Sequence, residues 1–404
     1  MEVSLIGIGM GVEDNLTVEA LNTIKEADVL IGASRMTRNF AEGKKEFNAY
    51  RAEDIKKIIE EQNEDCKIAV LMSGDVGFFS GAKKLLEIIG NEVRVIPGIS
   101  SVVYLCAKLH TSWQDVKLLS LHGLDTNIVG YVKRYKKVFA LLSGREQIIN
   151  MLNKLVSYNM DSIKLHIGQR LSYEDENIIS GTVSEILENK TDELDELAVV
   201  LFENDNPVDR RFGVIEDEEF IRGKVPMTKS EIRNLSIAKL NLSADSVLYD
   251  IGAGTGSVSI EASMKLLDGK VYAIERKKEA VELINKNKLK FAADNVEVIE
   301  GLAPSALEEL EPPTHAFIGG SAGNMEQIIE AVWNKNSEAI IVVNAIALNT
   351  VSEVMNIIEE KKIKADITLM QISKNNEIGK YQMMMGLNPV YIFKLKNDYC
   401  KVMR

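Results

Sequence analysis

The sequence predicts two α/β units in one chain, and three observations carry that expectation. Short apolar strands alternate with helical stretches along the whole length. Two glycine-rich strand-to-loop transitions, at residues 5–11 and 249–256, stand far apart in unlike surroundings, which argues against a tandem repeat. The pattern breaks near residues 212–226, where Glu216-Asp217-Glu218-Glu219 is followed by Gly223 and Pro226. The expected units are 1–213 and 214–404, with the acidic run as a solvated linker or the first turn of a helix.

Composition excludes several classes. The 404 residues are 46% hydrophobic and 27% charged, as in ordinary globular proteins. No stretch approaches the roughly 18 apolar residues of a membrane span. The first seven residues read as a strand, not a signal peptide, so a cytoplasmic protein without a membrane partner is expected. The net charge of −12 and the lack of a basic stripe argue against nucleic acid. The richest basic run, Lys133-Arg134-Tyr135-Lys136-Lys137, reads as a solvated face. Cys66, Cys106 and Cys400 form no C-x-x-C pair, and His110, His122, His166 and His315 have no ligand spacing. No metal site is expected.

In the second unit, Val247-Leu248-Tyr249-Asp250-Ile251 runs into Gly252-Ala253-Gly254-Thr255-Gly256, and a helix starts at Ser257. Such glycines allow a tight turn and a ligand close to the helix start. The next strand ends in Glu275, about 20 residues beyond the loop, where an acidic side chain can take ribose hydroxyls. This pattern alone does not separate NAD from S-adenosylmethionine. The third glycine of the dinucleotide fingerprint is missing, because Ser257 occupies its place. That geometry serves a pyrophosphate, which S-adenosylmethionine lacks. Thr228-x-x-Glu231 reads as a capping box whose hydroxyl could also meet a cofactor.

These segments, with 225–233 and Phe317-Ile318-Gly319-Gly320, make residues 214–404 resemble the Rossmann-like class I methyltransferases. Within them they resemble the decarboxylating precorrin C-15 methyltransferases of cobalamin synthesis. The resemblance implies S-adenosylmethionine held by Thr228, Gly252, Ala253, Gly254, Thr255, Gly256, Glu275 and Ala303. It also places Lys229, Arg233, Gly319, Gly320, Ser321 and Asn344 toward the substrate. Where the family often has G-D-A, this chain has Gly301-Leu302-Ala303, so backbone groups would hold the adenine.

In the first unit, Gly7-x-Gly9-x-Gly11 precedes a helix expected to be capped by Thr17. Loops at Gly74-Asp75, at Pro97-Gly98-Ile99-Ser100-Ser101 and at His122-Gly123 each follow an apolar strand. They would line the carboxyl edge of one sheet, where open α/β folds bind ligands. A hinge near 110–115 would split this unit into two lobes. The ordered set resembles the two-lobed tetrapyrrole methylase fold, and within it the precorrin C-5 methyltransferases. The family's proline after G-D is replaced by Val76. The resemblance implies a second S-adenosylmethionine near Gly7, Gly9, Gly11, Asp75, Ser100, Ser101 and His122.

Together the resemblances imply methylation of an anionic tetrapyrrole at C-5 and C-15, with decarboxylation of its C-12 acetate and one cofactor per domain. Arg35, Arg38, Lys224, Arg210 and Arg211 are further candidates for substrate carboxylates. No catalytic side chain is nominated, and a homo-oligomer is expected. The rival classes are an NAD-dependent oxidoreductase using the C-terminal loop and an RNA methyltransferase. The second, unlike loop set weighs against the first and the acidic charge against the second.

Overall fold

A computed structural model describes residues 1–90, 92–121 and 126–397. The chain divides into two compact units. One comprises Met1–Asp125 and Tyr135–Asn206, the other Thr126–Arg134 and Pro207–Arg404.

The first unit holds two five-stranded sheets. Strands β1 (Glu2–Gly7), β2 (Val29–Gly32), β3 (Lys45–Asn48), β4 (Lys67–Met72) and β5 (Arg94–Ile96) lie in the order β3-β2-β4-β1-β5. All these pairs are parallel. Leu5 and Ile6 point to opposite faces and are both fully buried, so β1 needs apolar residues in succession. Thr17 accepts the Ala20 amide at 3.1 Å and caps the helix Val18–Glu26 as expected. The second sheet holds β6 (Val116–Ser120), β7 (Lys137–Leu141), β8 (Lys164–Gln169), β9 (Asn177–Thr182) and β10 (Ala198–Glu203) in the order β6-β7-β10-β8-β9. The change of sheet falls between β5 and β6, where the sequence suggests a hinge.

The second unit is built on β11 (Val247–Ile251), β12 (Lys270–Glu275), β13 (Val296–Glu300), β14 (His315–Ile318), β15 (Ile340–Ala345), β16 (Lys364–Met370) and β19 (Val390–Lys396). Their order is β13-β12-β11-β14-β15-β19-β16. The first five are parallel, whereas β19 runs antiparallel to both β15 and β16. The intervening β17 (Ser373–Ile378) and β18 (Tyr381–Gly386) form a separate exposed hairpin. The chain order of strands turns back beside β11, which opens a crevice at the carboxyl ends.

Three expectations need correction. Of the two readings of the acidic run, the linker fails and the turn holds, because Asp217–Glu219 form a short helical turn. Asp217 is only 3% exposed and pairs with buried Arg233, while Ile215 and Phe220 pack into the core of the second unit. The basic run is no solvated face either. Lys133 Nζ donates to the Phe291 carbonyl at 2.9 Å, and Arg134 Nη2 donates to that of Met264 at 2.5 Å. Burial lowers the Lys133 pKa. The helix Ile128–Arg134 thus belongs to the second unit, with Ile128, Val129 and Val132 buried. Finally, Thr228 and Glu231 form no capping box. The helix Ser230–Leu240 has Lys229 as its N-cap without a side-chain bond, and Glu231 pairs with Lys374 at 2.6 Å.

No helix among the described residues is long and apolar enough to cross a membrane.

Candidate functional site

In the first unit, the turns after β1, β4 and β5 meet backbone to backbone. Gly9 and Gly74 exchange amide hydrogen bonds at 3.0 and 2.6 Å. A Cβ on Gly7 would lie 2.7 Å from the Gly98 nitrogen and 2.8 Å from the Gly74 oxygen, so only glycine permits this approach. Asp75 Oδ1 accepts the Gly77 amide at 2.8 Å, and its Oδ2 accepts the Gly98 amide at 3.0 Å. Asp75 therefore ties the β4 turn to the β5 turn. Asn39 Nδ2 donates to the Gly11 carbonyl at 3.2 Å, a partner that sequence reasoning missed. Ser100 and Ser101 begin the helix Ser101–Lys108, with no side-chain cap bond from Ser100. His122 lies outside the described residues. Arg35 and Arg38 are exposed on the two short helical segments after β2, Ser34–Thr37 and Arg38–Phe40, and form no ion pair among the described residues.

In the second unit, the carboxyl ends of the strands enclose a cavity of about 880 Å³. That is within the usual range for ligand sites. Thr228, Lys229, Gly252, Ala253, Gly254, Glu275, Ala303, Gly319, Gly320, Ser321 and Asn344 all line it, as does Leu302. Thr255 and Gly256 are not among the lining residues. Thr255 is 1% exposed, and Asn287 Nδ2 donates to its carbonyl at 3.0 Å. Gly252 takes φ +73°, and a Cβ there would lie 2.7 Å from the Gly320 oxygen. The glycine loop is thereby fitted against the turn after β14.

Glu275, 8% exposed, organises the loop. Its Oε2 accepts the Gly254 amide at 3.0 Å, and its Oε1 accepts those of Arg276 and Lys277 at 2.8 and 3.0 Å. Asp250, on β11, is buried and bonded to the Ser259 hydroxyl. Burial raises its pKa to about 7, and nearby Glu275 adds to the shift. Asp250 Oδ1 and Thr255 Oγ1 are buried and have no hydrogen-bond partner. A positive-φ glycine loop and a carboxylate at the next strand end, both on the cavity wall, fit a nucleoside with an amino-acid tail.

Several substrate candidates are already engaged. Arg233 is fully buried. It bonds to Glu261 at 2.7 Å, to Asp217 at 3.2 Å, and to the carbonyls of Thr228 and Ile215. It cannot meet substrate there; it fixes the segment that carries Thr228 and Lys229. Arg210 pairs with Glu219 at 2.7 Å, and Arg211 with Asp209 at 2.6 Å. Lys224 is exposed and lies off the cavity wall. Asn344 lines the cavity with its amide held by Ser236 at 2.9 Å. Missed by sequence reasoning were Arg276, Lys277 and Glu353, which also line the cavity. The first two adjoin Glu275, but nothing local marks Glu353.

The family assignment comes from comparison with known proteins. A family model described as the precorrin methyltransferase domain matches residues 219–397, and one for tetrapyrrole (corrin/porphyrin) methylases matches 2–187. A Sulfurisphaera tokodaii protein named "Probable cobalt-precorrin-6B C(15)-methyltransferase (decarboxylating)" is 41% identical over 181 residues, which are 44% of this chain and 94% of that protein. This chain belongs to the precorrin methyltransferase family. A protein of the same name from Methanocaldococcus jannaschii is 38% identical over 182 residues, covering 45% of this chain and 97% of its own. The crystal structure of a precorrin-6y C5,15-methyltransferase from Geobacter metallireducens is 39% identical over 45% of this chain and 97% of its own, with a TM-score of 0.43. The precorrin methyltransferase match covers the cavity-bearing part of the second unit. The tetrapyrrole methylase match covers the turns joined by Asp75.

Proposed function

We infer that this chain methylates a precorrin twice with S-adenosylmethionine. The second unit acts at C-15, with loss of carbon dioxide from the C-12 acetate. The first acts at C-5. Each unit binds its own cofactor molecule, at Gly252–Gly254 and Glu275 in one and at the joined turns around Asp75 in the other. The observation that carries this reading is the cavity at the carboxyl ends of the second unit's strands. It joins an end at β11 and β12 suited to a nucleoside to an end of mixed polarity beyond β14 and β15.

S-adenosylmethionine supplies a methyl group on a cationic sulfur. The residues of this chain supply alignment and exclusion of water, which suffice for transfer to an electron-rich ring carbon. Lys229, on the cavity wall, offers a cation to substrate carboxylates, and Arg35 and Arg38 offer the same in the first unit. The test incubates the purified chain with S-adenosylmethionine and precorrin, with or without cobalt. Mass spectrometry should show two added methyl groups and one lost carbon dioxide. Equilibrium dialysis should show two cofactor sites per chain, and binding of NAD instead would overturn the reading.

A homo-oligomer is part of this reading. Ile378, Tyr381, Met383, Met384 and Met385 are all exposed on the β17–β18 hairpin, and two strands alone are marginally stable in water. Sedimentation of the intact chain tests it.

A further inference from the structure

The two ends of the cavity differ in their ionisable groups. The groups along its wall that can ionise are Lys229, Glu275, Arg276, Lys277 and Glu353. Glu275 already accepts three backbone amides, and Lys229 pairs with Asp217 at 3.4 Å. Arg276 and Lys277 follow directly on β12, at the nucleoside end. Glu353 stands at the far end, on the helix Leu348–Glu360, one turn beyond Thr350. It is half-buried and makes no hydrogen bond or ion pair with any described residue. Its companions on the wall there are Asn344, Ile346, Thr350, Ile372 and Asn388, none of which can release a proton. A carboxylate without a cation is an odd lining for a site that receives a polyanion, unless its proton is used.

We propose that Glu353 is the proton donor that completes the decarboxylation, an assignment that rests on the function inferred above. Once the ring has gained its methyl group, it is a conjugated cation. The bond between the acetate methylene and its carboxylate breaks, and carbon dioxide leaves. The electron pair enters the ring system, neutralises the cation and leaves an exocyclic methylene. That carbon must then take up one proton to become a methyl group, and the positive charge returns to the ring. Glu353 delivers this proton and is recharged from solvent, which its partial exposure allows.

The experiment uses the full chain with precorrin and S-adenosylmethionine, following C-15 methylation, carbon dioxide release and final product separately. Glu353→Gln keeps the size of the side chain and removes the transferable proton. Cofactor binding and C-15 methylation should stay within about twofold of wild type, while the fully protonated product forms about 100-fold more slowly, as for loss of a general acid. Glu353→Asp should recover part of the rate, and added formic acid should speed the Gln variant but not the wild type. The proposal is overturned if the Gln variant forms product at the wild-type rate. It is equally overturned if methylation falls as far as product formation, which would make Glu353 a binding residue. A wild-type chain that adds methyl groups but never releases carbon dioxide would overturn the functional reading instead.

Discussion

Glu275 Oε2 accepts the Gly254 amide at 3.0 Å, so the carboxylate that ends β12 holds the glycine loop that follows β11. Glu275→Ala would strip the acceptor from three backbone amides at once. Each unsatisfied donor costs about 1–3 kcal/mol where it is buried. Affinity for S-adenosylhomocysteine in the second unit should fall at least tenfold by calorimetry. Undiminished affinity would exclude Glu275 from the cofactor site.

Gly98 offers a test in the first unit. A Cβ there would overlap the carbonyl oxygens of Gly7 and Gly74, which are backbone atoms that cannot rotate away. Gly98→Ala should destabilise the first unit by about 1–3 kcal/mol, as overpacking does, and impair methylation at C-5. Gly81→Ala is the control, since nothing lies within 4 Å of its added Cβ. C-15 methylation should survive both changes. Equal behaviour of the two variants would refute the close-packing argument.

Arg233 separates a structural role from a substrate role. Removing it leaves Asp217 and Glu261 buried without their cation, and breaking a buried pair costs about 3–5 kcal/mol. Arg233→Met should lower the melting temperature sharply. A variant with native stability and only a raised KM would restore Arg233 to the substrate site.

Asp250 predicts a pH effect of definite sign. Its carboxyl is raised from the ordinary 3.8 to about 7 by burial. The folded chain then keeps a proton that the unfolded chain has already lost. This contribution to stability is complete below 3.8, declines as the pH rises, and is gone above about 7. Asp250→Asn stays neutral throughout. The melting temperature of the variant relative to wild type should therefore climb with pH across that window, and a constant difference would disprove the shift.

Local sequence carried much of this fold. Strands β11, β12 and β13 are largely apolar or alternating runs, β11 broken only by Asp250, and the loops at Gly9, Gly74 and Gly98 follow such runs. Contacts between distant segments were not legible. Nothing beside Asp217 announces that Arg233 and Glu261 will bury it, so its acidic neighbours suggest solvent. That the two oxygens of Asp75 would take the Gly77 and Gly98 amides and so join two turns was not legible either. Thr228 and Glu231 have the right spacing for a cap, but Lys374 from the β17–β18 hairpin takes the glutamate. Glu353 reads as an ordinary exposed helix position, because only the tertiary fold brings it to the cavity.

The helix Ile128–Arg134 also bears on how this chain is made. Its partners Met264, Asp268 and Phe291 lie 130 to 158 residues later in the sequence. At about 5–20 residues per second, the ribosome needs roughly 7 to 30 s to deliver them. Throughout that interval Tyr131, Lys133 and Arg134 lack the groups that they bond in the folded chain. The helix Ile128–Arg134 can thus complete these hydrogen bonds only after residue 291 has been translated.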